Sequence, residues 1–483
     1  MFRIHKWVAV GALLLPAAAW AHNDDRYENS VHANVKFLGG RVTIEHKFGH
    51  VEVRTSNGDE VTVRGTIRAS DEELGKQIRF AVTNSSEGVL IRTTYPEVHI
   101  HGGNVSYSAD LEVTIPSRAP LFLRNRFGSV EVEGLRASSE IVNGQGSISF
   151  RDSRGAQRIE NSFGSITIEN AGGDTTVQNA NGSISIERVD GNLTVSDRFA
   201  SVSVRDAKRA VTIQNSNGSV VLENVGSDAR VKNSFGSVGV RNVDGALEVT
   251  NQNGSVNVAE VKGSVIVKNS YATTTISNVH NDLTVDSTNG RVEAAVIGGS
   301  ADIKGSFAPI EVRNVSGPTK ISNSNGNITA ADIRGKLEID TRFGLVKAER
   351  IRGSLDVDNS NGSVTANDIA GSARVHTSFA SVFLKGIDGA VDVENQNGAI
   401  SIASLKRSCN PIALRTTYAP IKIALPASGG YDVEARTSYG SINTDVPITI
   451  TRKSENNLSG TIGGGGCKLD LATSNGNITI TRE

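Results

Sequence analysis

"NSFGSITIENAGGDTTVQNANGSISIE", residues Asn161 to Glu187, states one pattern twice. Asn161-Ser-Phe-Gly-Ser-Ile returns one repeat later as Asn179-Ala-Asn-Gly-Ser-Ile, with Phe163 exchanged for Asn181. We call that exchanged position the slot. An aromatic ring fills it at Phe127, Phe163, Phe199, Phe235, Tyr271, Phe307, Phe343 and Phe379, in even steps. Halfway between stand Gln145, Asn181, Asn217, Asn253, Asn289, Asn325, Asn361 and Asn397. The unit is therefore the step from Asn161 to Asn179, eighteen positions, with a ring–amide alternation of twice that period.

Within a unit, apolar residues recur at i, i+2, as in Ile166 and Ile168 or Ile184 and Ile186. Helical spacing at i, i+3, i+4 is missing. Two short alternating runs of β-branched residues, each closed by a Gly-rich corner, make two strands per unit. One such coil cannot bury its own apolar edge, so coils must stack, each strand pairing in parallel with its counterpart one turn later. The fold expected is all-β: a single-stranded parallel β-solenoid of about sixteen two-strand coils over residues 121–405. At about 4.8 Å per coil that is a rod roughly 75 Å long. β-rich caps are expected over 22–120, with a short helix within Ser70–Gln77, and over 406–483, because an open solenoid end exposes unpaired strands.

Gly always follows the Asn or Gln of the slot, whereas Ala200, Ala272, Ala308 and Ala380 follow rings. Ala disfavours positive φ. This predicts two corner geometries alternating along the rod, left-handed at the Asn-Gly corners only.

The chain opens "MFRIHKWVAVGALLLPAAAWAHND", with Arg3 and Lys6 ahead of an apolar run and Ala19-Trp20-Ala21 after it. This reads as a secretory leader, positions 1–21, cleaved after Ala21. The run is too short to span a bilayer comfortably, and no later stretch is apolar enough to cross one. A periplasmic or secreted protein follows, with no integral membrane segment after cleavage. Fifty Lys and Arg balance 51 Asp and Glu, which leaves no basic stripe for nucleic acid. Cys409 and Cys467 are the two cysteines. A disulfide between them suits an oxidising compartment, but spacing alone leaves open whether they meet.

"TSYGSINTDVPITI", "LSGTIGGGG" and "LDLATSNGNITITRE" near the C-terminus resemble the signature of a bacterial β-strand-repeat family labelled "putative adhesin", also described as toastrack domains. "LEVTIPSRAPLFLRNRFGSVEVEG" is similar to that family's middle portion. The resemblance implies a β-solenoid-like extracytoplasmic protein with a surface or envelope role, and it carries no catalytic residues.

Each candidate site has a plainer structural reading. Two residues before the slot stand Asn161, Asn179, Asn215, Asn233, Asn251 and Asn269. Stacked amides at one corner suit a ladder between coils and the satisfaction of turn groups better than a glycan-binding strip. The Asn-Gly-Ser sequons at Asn181, Asn217, Asn253 and Asn361 follow from turn geometry. His99 and His101 share one side of a strand, and cleavage would leave His22 as an amino-terminal ligand. Lacking a third ligand at recognisable spacing, they read as surface histidines, and no metal or other cofactor is expected.

A polysaccharide-active lyase or hydrolase needs clustered carboxylates. Here Asp190, Asp244 and Asp388 sit in Val-Asp-Gly or Ile-Asp-Gly corners, where Asp favours the turn. The expected function is a non-catalytic extracytoplasmic scaffold or adhesin-like protein presenting a polar surface to a protein, glycan or envelope partner. A polysaccharide-active enzyme and an envelope-stress sensing module are the alternatives.

Overall fold

The computed structural model describes residues 27–97, 105–406 and 409–483. Among the described residues the chain forms 47 strands and one short helix, Glu72–Gln77. Asp71 caps that helix by accepting from the Leu74 amide. The strands alternate between two long sheets, and through the regular coils from Leu121 onward each pairs in parallel with its counterpart one repeat later. Ile159 lies beside Val177 in one sheet, and Ile166 beside Ile184 in the other. This is the stacked β-solenoid the repeat demands. Twenty-odd strands per sheet at about 4.8 Å make a rod roughly 100 Å long, because the flanks continue the same two sheets.

Inward rows fill the narrow interior. Ile141, Ile159, Val177, Val195 and Ile213 form one continuous ridge, and Ile148, Ile166, Ile184 and Val202 another, all essentially inaccessible. Thr274 interrupts the second ridge, and its hydroxyl accepts from the Asn269 amide at 3.1 Å. A further row, Ala171, Val189, Ala207, Val225 and Val243, is also buried. Simple alternation would point it outward. One residue before each member the chain bulges: Asp152, Asn170, Arg188, Asp206, Asn224, Asn242 and their successors to Ser404 have φ of 53–70°. The extra residue turns the next side chain inward, and because every coil bulges at the same place the ladder stays in register.

Asn, Asp and Gly suit this left-handed position, whereas Val296 (φ 61°) is β-branched and half exposed. Val296→Asn is expected to stabilise its coil by about 1 kcal/mol. Slower amide exchange across Val292–Ile297 in the variant would register the gain.

The alternating corner geometries do not occur. φ is +124° at Gly164 beside a ring and +136° at Gly182 beside an amide, with Gly128 and Gly146 alike. Gly254, Ala272, Gly290 and Ala308 instead form a run without positive φ. Conformation therefore comes in blocks of neighbouring coils, whatever fills the slot. Within the positive-φ blocks corner N–H groups donate to the slot carbonyl of the next coil, Gly146 to Phe163 at 2.8 Å and Gly164 to Asn181 at 2.7 Å.

Both ends are closed in the same way. At the N-terminal end the coil Arg41–Glu45/Val51–Ser56 is inserted between Gly88–Thr94/Tyr107–Pro116 and Leu121–Phe127/Val130–Glu133. Antiparallel strands Tyr27–Lys36, Glu60–Ala69 and Arg79–Ser85 cover the edges. At the other end the last coil, Cys467–Ala472/Ile478–Arg482, slides between Ile412–Arg415/Ile421–Leu425 and Tyr431–Arg436/Ile442–Thr444. Antiparallel Asn457–Ile462 and Thr449–Lys453 then finish one sheet. Cys409 and Cys467 form a disulfide, with Cα atoms 5.4 Å apart, where the inserted coil begins.

Candidate functional site

The corner that carries the slot runs the length of the rod as an exposed edge. Phe163, Phe199 and Phe235 are each a little over half exposed, Phe307 is 63% exposed and Phe379 60%. Rings lie two coils apart, about 10 Å, and an Asn or Gln stands in each intervening coil. Small polar residues flank them: Ser162, Ser216, Ser234, Ser270, Ser306 and Ser378 precede the slot, and Ser165, Ser183, Ser201, Ser219 and Ser237 stand at the second position after it. No Asp or Glu occupies the four rows from the residue before the slot to the second after it in the coils from Arg126 to Asn477, whereas in the N-terminal cap Glu97 stands at the second position after Tyr95. On a chain with 51 acidic residues that leaves the edge free of carboxylates from Arg126 onward.

Pairing extends this column beyond the regular coils. Leu414 pairs with both Val393 and Leu471, and Leu471 pairs with Ala435. The slots in spatial order are thus Phe379, Asn397, Tyr418, Asn475, Tyr439. Ring and amide keep alternating in space although Asn475 comes last in the chain. Tyr418 and Tyr439 are exposed by 62% and 84%.

The buried Asn column just inside this edge works through the backbone. Asn161 Nδ2 donates to the corner carbonyls of Gly146 and Gly164, both at 3.0 Å, so one amide bridges two coils. Asn179, Asn215, Asn233, Asn251 and Asn269 repeat the arrangement. The bonds run from amide to carbonyl, and the Oδ1 atoms of Asn161, Asn215, Asn233, Asn251 and Asn269 are buried without a partner. This column holds the edge rigid and is not itself presented to a ligand.

The opposite edge is charged. Its bulge residues hydrogen-bond from coil to coil, Asn170 Nδ2 to Asp152 at 2.7 Å and Asn242 Nδ2 to Asn224 at 2.9 Å. Beside them lies an open groove of about 800 Å³ spanning Gly134 to Asp244. Two of its carboxylates meet cations one coil on, Lys208 2.6 Å from Asp190 and Lys262 2.7 Å from Asp244, while Asp152 and Asp206 accept from the amides of Asn170 and Asn224. Asn and Asp recurring in successive coils at the bulge are the sequence signal for this second column.

At the N-terminal end the alternation gives way to a ring cluster. Phe48 stacks on Phe127 with centroids 5.1 Å apart and packs edge-on against Tyr95 and Tyr107. His46 takes the Asn-column position, buried, with Nδ1 2.9 Å from the Thr93 hydroxyl. Burial pulls its pKa from 6.5 down to about 4. The folded value lies below the unfolded one, so His46 costs nothing above pH 6.5. As pH falls from there toward 4 the unfolded chain takes up a proton that the folded cap refuses. From pH 7 to pH 5 the cap is expected to lose about 2 kcal/mol through this residue. His46→Thr, with a residue that occupies the same column at Thr93 and Thr341, should flatten that dependence in amide exchange of Arg41–Ser56.

His22, His99 and His101 lie outside the described residues. Among the described residues no group of three His, Cys, Asp or Glu is placed to share a metal ion, and no helix is long and apolar enough to cross a membrane.

Fold and edge together define a capped, two-sheet parallel β-solenoid with one aromatic–amide edge and one charged edge. The chain belongs to the Toastrack DUF4097 family, whose model matches residues 201–481. No curated protein matches it. A crystal structure of a "putative cell adhesion protein" from Clostridium sporogenes ATCC 15579 is similar at 10% identity and a TM-score of 0.21, over 50% of this chain and 100% of that one. A likeness of that degree carries no argument about this chain.

Proposed function

We propose that the protein is a non-catalytic extracytoplasmic scaffold that presents one regular edge of a rigid rod to an envelope or matrix partner. The observation that carries this reading is the uninterrupted aromatic–amide column, held straight by the Asn bridges and continued in spatial order through the C-terminal cap. The Cys409–Cys467 disulfide supports an oxidising compartment, in keeping with the leader-like stretch up to Ala21. On the charged edge, carboxylates are matched by cations or amides from the neighbouring coil, an arrangement that suits a solvated ladder better than an acid–base pair.

The test is capture of cell-envelope and extracellular-matrix fractions by the immobilised full chain, alongside incubation with neutral and acidic polysaccharides. Specific capture without release of reducing or unsaturated ends is the expected result. Polysaccharide turnover, or protein found only in the cytoplasm, would overturn the reading.

A further inference from the structure

We infer that the aromatic–amide edge binds an extended, neutral, β-1,4-linked polysaccharide chain along the rod axis. The inference rests on the scaffold reading above and names its partner. Rings recur every two coils, about 10 Å, a length close to that of one disaccharide in such a chain. In a two-fold β-linked chain consecutive sugars are flipped, so the same pyranose face recurs with every second sugar. Ring and amide alternate with that same period.

The chemistry fits as well. An aromatic face carries negative charge density and offers apolar area to the C–H groups of a pyranose. The serine hydroxyls and slot amides beside each ring supply donors and acceptors for sugar hydroxyls. With no carboxylate on the edge from Arg126 onward, nothing there calls for a cationic ligand, and the scattered Lys47, Arg126, Arg198, Arg291 and Arg342 are too few to hold a polyanion.

Two observations argue against the column being mere coil chemistry. Adjacent rings are sterically possible at this corner, since Phe48 and Phe127 stack at 5.1 Å, so packing does not impose the alternation. Nor does duplication of a two-coil unit explain it: Asn475 stands between Tyr418 and Tyr439 in space but not in sequence. The amides between rings also break what would otherwise be one apolar strip, as suits a ligand that is part polar.

The experiment uses the full chain and a variant carrying Phe163→Asn, Phe235→Asn, Phe307→Asn and Phe379→Asn. Asn fills the same slot in every coil beside these four except for Gln145 ahead of Phe163, so the variant is expected to melt as the wild type does. Retention is measured on microcrystalline cellulose, chitin and α-linked starch granules, with sedimentation velocity in parallel. The wild type should be held by cellulose or chitin and not by starch, and the variant should lose about tenfold or more of that affinity. Retention on none of the β-linked glycans, or equal retention of the variant, would overturn the inference. So would a wild-type dimer that the variant dissolves without any glycan binding, which would assign the rings to a second copy of the chain. Each of those results leaves the scaffold reading standing if envelope capture persists, whereas polysaccharide turnover would remove both.

Discussion

Replacing Cys409 and Cys467 by alanine, or reducing their disulfide, is expected to loosen the C-terminal cap by roughly 4 kcal/mol on the chain-entropy account of a cross-link that closes 58 residues. The location makes the effect larger in consequence than in energy. Cys467 opens the strand that inserts between Ile412–Arg415 and Tyr431–Arg436, so the bond pins the one coil at this end whose place in the stack departs from chain order. Without it the strands from Tyr431 to Arg482 should exchange amide protons faster than the central coils. In a stacked array each coil is held mainly by its neighbours, so the centre should keep its protection. Fraying would also bare the edges of Ile412–Arg415 and Ile421–Leu425, and open strand edges recruit other chains. Concentration-dependent association in reductant is therefore expected alongside the exchange. Equal protection of Ile478–Arg482 in oxidised and reduced protein would show that packing alone holds the cap.

That cap marks where the sequence stops being legible. The periodicity is a direct physical consequence of stacking, so the coils, their inward ridges and the ring column could be read before any coordinate. Tyr439 and Asn475 are separated along the chain by what in regular coils means two turns, yet they occupy adjacent turns. The strands Thr449–Lys453 and Asn457–Ile462 take up the difference as an antiparallel edge. Periodicity reports spacing along the chain and is silent about insertion. The bulge column was missed for another reason. Asn170, Asn224 and Asn242 stand two residues after the inward Ile168, Leu222 and Val240, where alternation alone would point them inward, and only the burial of Ala171, Val225 and Val243 one residue later reveals the left-handed step. Corner geometry does not follow the slot: Gly164 beside a ring and Gly182 beside an amide share positive φ, while Gly254 and Gly290 beside amides lack it.

Gly236 and Gly239, close neighbours in one coil, should respond in opposite ways to the same substitution. Gly236 forms a corner at φ +117°, and a Cβ built there would lie 2.3 Å from the Gly218 carbonyl oxygen and 2.6 Å from its carbon. Backbone of the preceding coil cannot yield as a side chain can. Gly236→Val combines a β-branched residue at positive φ, about 1–2 kcal/mol, with overpacking of about 1–3 kcal/mol. Gly239 lies mid-strand between Val221 and Asn257, and a Cβ there meets nothing within 4 Å. Gly239→Val replaces the most flexible residue with a strong strand former and is expected to be neutral or stabilising by up to about 1 kcal/mol. The damage at Gly236 should stay local, because coils couple only to their neighbours. Limited proteolysis should find a new cleavage site between Gly218 and Gly254 in Gly236→Val and none in Gly239→Val, while the two ends of the rod keep wild-type resistance. Matching cleavage patterns in the two variants would mean that the corner carbonyls can move apart, and that the stack is softer at its aromatic edge than its hydrogen bonds imply.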